Sequence, residues 1–208
     1  MKDNPYPGRF IVIEGLDGSG QTTQVALLKK FLEGRGFRVV STKEPTMDSE
    51  AGRRIREILD EKAKIKPIKL QKLFTRDRRE HLENLIVPAL QEAKTVISDR
   101  YCFSTFAFGA SEGLDLDELV KMNDEFLLPD LTIILRVSPK VCVERIEKRG
   151  EAKTLFEKEN KLARVWETYA VIPERFRNVY IVNGERPIDE VFFEIREKVE
   201  SKILKKEE

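Results

Sequence analysis

The residues best suited to chemistry concentrate in positions 9 to 25, Arg-Phe-Ile-Val-Ile-Glu-Gly-Leu-Asp-Gly-Ser-Gly-Gln-Thr-Thr-Gln-Val. An apolar run, Phe10 to Ile13, breaks into a loop with Gly15, Gly18 and Gly20, and the loop opens into the helical pattern Val25, Leu27, Leu28, Phe31, Leu32. A glycine loop between a strand and a helix lets successive backbone N–H groups turn inward on a polyphosphate. The helix N-terminus adds positive potential, and a hydroxyl at its start ligates magnesium. The spacing fits from Gly15 to Thr22, so Gly15, Leu16, Asp17, Gly18, Ser19, Gly20, Gln21, Thr22 and Thr23 form the expected phosphate cradle. One position departs: where the pattern has lysine, this chain has Gln21. The loop keeps its amides, its helix dipole and the Thr22 hydroxyl, and lacks the point charge that normally reaches the transferring phosphate.

A second cluster runs from Ser98 to Phe108, Ser-Asp-Arg-Tyr-Cys-Phe-Ser-Thr-Phe-Ala-Phe. A carboxylate ending a buried strand beside a phosphate loop suits a magnesium-water ligand, and a neighbouring guanidinium clamps phosphate oxygens with two prongs. Asp99 and Arg100 are those groups; the plainer alternative is a mutual ion pair at the strand end. A third cluster, Leu73 to His81, carries Phe74 and Arg78 four residues apart and so on one helical face. That pair suits stacking on a planar ring and bonding to its carbonyl edge. Taken alone, it reads first as a core aromatic beside a solvated face of Arg76, Arg78 and Arg79. His81, the one histidine, has no partner motif and reads as structural. Around Gly150, the cations Arg145, Lys148, Arg149, Lys153 and Lys158 suit a mobile lid that neutralises charge over phosphates, and equally a soluble helix end.

Strands are expected at Phe10–Ile13, Phe37–Ser41, Thr95–Ser98, Leu131–Leu135 and Val179–Val182. Helices are expected at Gln24–Gly34, from Asp48 or Ser49 to near Leu59, and from Pro67 to about Leu85 with a bend or end near Pro88. Others are expected at Asp115–Leu128, at Pro139–Lys148, around Leu162, Val165, Trp166, Tyr169 and Ile172, and at Pro187–Leu204. Trp166 and Tyr169 read as core residues. This alternation predicts an α/β fold: a five-stranded parallel sheet in three layers, helices on both faces, with ligands at the carboxyl ends of the strands.

With 208 residues, one domain with a full core is expected. Thirty-eight basic against 37 acidic side chains leave a net charge of +1, so nothing in the balance points to nucleic acid. No apolar run is long enough to span a membrane, and the leader Met1 to Gly8 lacks a signal peptide's apolar stretch, which predicts a cytoplasmic protein. The abundance of Lys and Glu resembles a thermophile's surface. Cys102 and Cys142 have neither metal-ligand nor disulfide spacing and read as buried free thiols.

Together these stretches resemble the thymidylate kinases, the P-loop enzymes that phosphorylate dTMP. The similarity covers nearly the whole chain: Phe10 to Gly20, Lys43-Glu44-Pro45, Leu73-Phe74 with Asp77-Arg78 and His81, Asp99-Arg100-Tyr101 with Ser104, Pro129-Asp130-Leu131, and Glu144-Arg145-Ile146 with Arg149-Gly150. The resemblance implies a P-loop NTPase fold with a short lid at about 149 to 159. It implies that Mg2+ and ATP serve a transfer of the γ-phosphoryl group to dTMP, giving dTDP, in a homodimer. By residue, it implies that Asp17 holds the deoxyribose 3′-hydroxyl, Phe74 stacks on thymine, Arg78 contacts its carbonyl, and Phe108 crowds the sugar where a ribose 2′-hydroxyl would be. Glu44, Tyr101, Ser104 and Thr105 complete the expected acceptor site. Arg100 binds both phosphates, Asp99 and Thr22 belong to the magnesium site, and Arg145 and Arg149 lie over ATP, with Arg149 as the catalytic lid arginine. Three positions depart from the family: Gln21 for Lys, Lys43 for the commoner Arg, and Thr46-Met47-Asp48 for Gly-Gly-Thr. Arg136 or a lid cation is the expected replacement for the missing loop charge. A related pyrimidine-nucleotide or deoxynucleoside kinase, and a nucleotide-binding protein weakened or inactivated by Gln21, are the alternative readings.

Overall fold

The computed structural model describes residues 1–60, 63–148 and 155–204, with the side chains of residues 155–158 outside the description. Five strands form one all-parallel sheet: β1 (Arg9–Gly15), β2 (Val39–Lys43), β3 (Thr95–Asp99), β4 (Leu131–Arg136) and β5 (Val179–Asn183), in the order β2-β3-β1-β4-β5. The order reverses beside β1, because the chain first builds outward to β2 and β3 and then crosses to β4 and β5. A crevice opens at such a reversal, beyond the carboxyl ends of the strands. Register brings Lys43 level with Asp99, and Asp99 level with Ile13, so the ends of β2, β3 and β1 share one rim.

Residues 10 to 15 of β1 are buried on both faces, as expected of a central parallel strand. Phe10 and Val12 face a core shared with α5 (Cys102–Ser111), α7 (Pro139–Glu147) and α8 (Leu155–Arg175). Ile11 and Ile13 face Val25, Leu28 and Leu32 of α1 (Gln21–Gly34) and Val191, Ile195 and Val199 of α9 (Ile188–Lys202). Helices therefore cover both faces.

The expected elements form, with three informative differences. The stretch from Pro67 is helical as α3 (Pro67–His81), passes through one π turn, Leu82–Ile86, and continues as α4 (Val87–Gln91), which carries Pro88 in its first turn. The π turn accommodates the missing Pro88 N–H without ending the rod. The helix expected over 115 to 128 stops as α6 (Leu116–Lys121). Beyond it the Asn123 amide bonds back to Leu119 O at 2.8 Å, and the backbone of 126 to 128 bonds to Lys2. Residues 102 to 111, where periodicity predicts no helix, form α5. Six of its ten residues are buried, so it has no polar face to mark it. α2 (Glu50–Leu59) begins at Ser49, whose Oγ accepts from Gly52 N at 2.6 Å.

Candidate active site

The cradle is built as its glycines require. Gly15, Gly18 and Gly20 have φ of +151°, +86° and +101°, values that suit glycine. Gly18 also needs its missing Cβ for space: a methyl there would stand 2.6 Å from the Cys142 carbonyl oxygen of α7. At Gly20 nothing lies within 4 Å of that position, so the loop opens there to a ligand. Gly20 precedes α1 with no side-chain cap and no acidic residue in the first turn, which leaves the helix N–H groups to a bound anion. Ser19 Oγ is buried in this loop with no hydrogen-bond partner among the described residues. Leu16 is core, Asp17 and Thr23 are exposed, and Gln21 is buried with Nε2 donating to Gly15 O at 2.9 Å.

Asp99 comes to the loop from β3. Its Oδ2 accepts from Thr22 Oγ1 at 2.6 Å and from Lys43 Nζ at 3.1 Å. A hydroxyl and a carboxylate oxygen in direct contact, beside an open anion cradle, make a donor set that fits magnesium held by few protein ligands and completed by phosphates and water.

Arg100 follows with φ +74°, a left-handed value that costs a non-glycine residue roughly 1–3 kcal/mol. The turn is tied down on three sides: Arg100 N donates to Ile13 O at 3.0 Å, Ser98 Oγ to Arg100 O at 2.7 Å, and Tyr101 N to Glu14 Oε1 at 2.8 Å. The guanidinium then crosses the loop, donating to Gly15 O and Ser104 Oγ at 2.9 Å each and to Asp17 Oδ1 at 2.7 Å. It lies over the Phe108 ring, 5.4 Å from its centroid. Burial opposes the charge on Arg100, but Asp17, then Tyr169, Glu14 and Asp99, more than offset it, and the pKa is raised.

Glu14 is fully buried beneath this turn. It accepts from the backbone of Tyr101 and Ser104, from Ser104 Oγ at 2.6 Å and from Tyr169 Oη at 2.9 Å. Burial raises its pKa, against the pull of Arg100 and of its hydrogen-bond donors.

Across the crevice, Arg78 is 1% exposed and uses four of its five N–H groups. Nε and Nη2 donate to Glu44 Oε2 at 2.9 and 2.7 Å, Nη1 to Asn123 Oδ1 at 2.5 Å, and Nη2 also to Thr105 Oγ1 at 3.2 Å. Its guanidinium lies 5.0 Å from the Tyr101 ring centroid. His81 joins Glu44 Oε1 to Thr42 Oγ1, with contacts of 3.2 and 2.7 Å. Asp77 accepts from Thr46 N at 2.8 Å and from the hydroxyls of Thr46 and Ser49, pinning the loop after β2. Phe74 is half-buried, is part of neither apolar core among the described residues, and stands one helical turn before Arg78 in α3.

The sequence profile of the thymidylate kinase family matches residues 13–195. A probable thymidylate kinase of Pyrococcus horikoshii is 41% identical over 203 residues, covering 95% of this chain and 98% of its own. One from Thermococcus gammatolerans is 40% identical over 206 residues with the same coverage, and the thymidylate kinase of Caldicellulosiruptor saccharolyticus 34% over 205 residues, covering 96% and 98%. The chain belongs to the thymidylate kinase family. Thymidylate kinases are ATP-dependent enzymes that phosphorylate dTMP to dTDP, and this activity, not a nucleotide-binding remnant, is the one its relatives support.

The structure links Asp17, Arg100, Ser104 and Phe108 beside the glycine loop, Thr22 with Asp99, and Arg78 with Glu44, Thr105 and Tyr101. Glu44 and Tyr101 are buried, Glu44 being held by Arg78 and His81. Arg149 and the first part of the lid expected at about 149 to 159, with the side chains of Lys153 and Lys158, lie outside the described residues, while the last part of that span is the start of helix α8 at Leu155. Arg145 reaches the loop from α7, its Nη1 3.5 Å from Ser19 O and Nη2 3.2 Å from Gly184 O. Arg136 is exposed beside Ile181, Asn183, Arg186 and Glu194. Sequence reasoning assigned no role to Glu14, Asn123 or the Tyr169 hydroxyl. A carboxylate closing a buried apolar strand was the signal for Glu14; Asn123 and Tyr169 carry none, since each meets its partner only through the fold.

Proposed function

We propose that this thymidylate kinase binds dTMP over Phe74 and Arg78 and Mg-ATP in the loop of residues 15 to 23, with Arg100 between the two phosphates. The observation that supports this reading is the position of Arg100, whose guanidinium touches the loop at Gly15 O and the Asp17 carboxylate at once. The fifth N–H of Arg78, on Nη1, is the one left for the thymine carbonyl, and Glu44 acts through Arg78 as a positioning residue. Phe108, beneath Arg100, lies where it limits the sugar. Asp17, freed from Arg100 by an arriving phosphate, is the acceptor for the 3′-hydroxyl. Ser104, Thr105 and Tyr101 hold these groups in place.

The acceptor oxygen on dTMP is anionic at neutral pH, so no strong base is needed, and catalysis consists of holding two anions in line under fixed positive charge. Thr22 and Asp99 would hold magnesium, which would supply positive charge to screen the phosphates. Arg100 stabilises the transferred group and Arg145 covers the donor, with Arg149 supplying the lid charge. The whole chain acts as one domain in a cytoplasmic homodimer. The test is steady-state ATP consumption with dTMP and magnesium. Arg100→Ala lowers kcat on the order of 10²–10³-fold, the usual loss for one transition-state donor. A loss below threefold would remove Arg100 from the chemistry.

A further inference from the structure

The lysine that normally completes a phosphate-binding loop carries charge to the transferring phosphate. Here the Gln21 amide is buried and bonded to Gly15 O, so it supplies none. Arg136 lies toward β5 and α9, Arg145 is held by Gly184 O, and Arg100 already serves three loop and helix partners. Lys43 is differently placed. Its ammonium sits 3.1 Å from Asp99 Oδ2, the same oxygen that accepts the Thr22 hydroxyl at 2.6 Å. Its side chain is 51% exposed, against 4% for Asp99, and among the described residues Asp99 is the contact that holds it. Such a half-exposed pair contributes little and is easily exchanged. The register of β2 with β3 roots Lys43 beside Asp99, and its four-carbon stem spans the strand between it and the loop.

We propose that Lys43 supplies the positive charge that the loop lacks at Gln21. Without nucleotide its ammonium rests on Asp99. With donor and acceptor bound it turns onto an oxygen of the transferring phosphoryl group, leaving Asp99 Oδ2 to the metal site. A compact ammonium on a flexible stem can make that move, whereas a planar guanidinium prefers a fixed two-pronged seat. Lys43 keeps its protons throughout: the acceptor oxygen forms its bond to the γ-phosphorus as the bond from that phosphorus to the ADP oxygen breaks. The role rests on the kinase reading above.

The test is a double-mutant cycle of Lys43→Met and Gln21→Lys. It is read both in kcat and in the calorimetric affinity for a magnesium-bound, non-hydrolysable ATP analogue in the presence of dTMP. Lys43→Met in the native loop lowers kcat on the order of 10²–10³-fold, and in the Gln21→Lys background less than about tenfold. Analogue affinity falls in Lys43→Met and returns when Gln21→Lys is added. Equal losses in both backgrounds would overturn the proposal and leave Lys43 an acceptor-side or structural residue. Absence of dTMP-dependent turnover in the native chain would instead refute the kinase reading, and the affinity cycle then decides the role of Lys43 by itself. Should Gln21→Lys not fold, Lys43→Arg decides: retention of analogue affinity where Lys43→Met loses it supports a charge role, and equal loss in both overturns it.

Discussion

At the scale of single residues, the packing between α3 and the end of β2 depends on one buried charge pair. Arg78 and Glu44 are 1% and 2% exposed, and the fork between them also engages Asn123 and Thr105. Removing one partner leaves the other charged and buried, so Arg78→Met costs about 3–5 kcal/mol of stability, measured by urea unfolding. The exposed pair Arg54–Glu57 is the control: Arg54→Ala changes stability by less than about 1 kcal/mol. On the donor side Gly18 is the sensitive position. Gly18→Ala combines a left-handed φ with a methyl 2.6 Å from Cys142 O, and either the loop or α7 must move. The expected result is a loss of about 1–3 kcal/mol with weakened nucleotide binding, checked by unfolding and calorimetry. Gly20→Ala, equally strained but unobstructed, costs less stability.

Between elements, Glu14 is the junction of β1, the Arg100 turn, α5 and α8. The carboxylate takes the backbone donors at the start of α5 and the Tyr169 hydroxyl from α8. Its pKa lies above the ordinary 4.5 because burial outweighs Arg100 and the hydrogen bonds. The fold thus favours the protonated form. The resulting stabilisation is complete below about pH 4.5 and is lost as pH rises through the raised value. Glu14→Gln does not titrate there, so the melting temperature of the native chain relative to Glu14→Gln falls from about pH 4.5 upward and then levels off. Thermal unfolding across pH 4 to 8 checks the sign, and a rising difference would mean that Arg100 outweighs burial.

For the whole molecule, the sheet order sets the function. Reversal beside β1 gathers the ends of β2, β3 and β1 at one rim, which is how Lys43, Asp99 and Thr22 meet. A ligand that binds only the folded chain at 100 times its Kd adds about 2.7 kcal/mol. For a chain of this size that is roughly 5–10 °C in Tm. The ATP analogue and dTMP, added separately at such excess, should each produce a shift of that order, and Arg100→Ala should reduce both in a thermal-shift measurement. Among the described residues no helix is long and apolar enough to cross a membrane.

The sequence alone determined the phosphate loop, the strand and helix alternation and the parallel sheet. These are carried by local spacing: glycines at fixed offsets, apolar periods of two and 3.6, and a carboxylate and guanidinium directly after a buried run. Only the tertiary structure decided what those residues touch. Arg78 is a committed structural fork because Glu44, Thr105 and Asn123, 34, 27 and 45 residues away, converge on it. Helix α5 escapes periodicity because neighbours from distant segments bury most of its faces, and α6 ends early because Lys2 pairs beyond it. The partner of Lys43 was equally hidden. Nothing near it in the chain shows that its ammonium shares one oxygen with Thr22, because that meeting depends on the register of β2 with β3 and of β3 with β1.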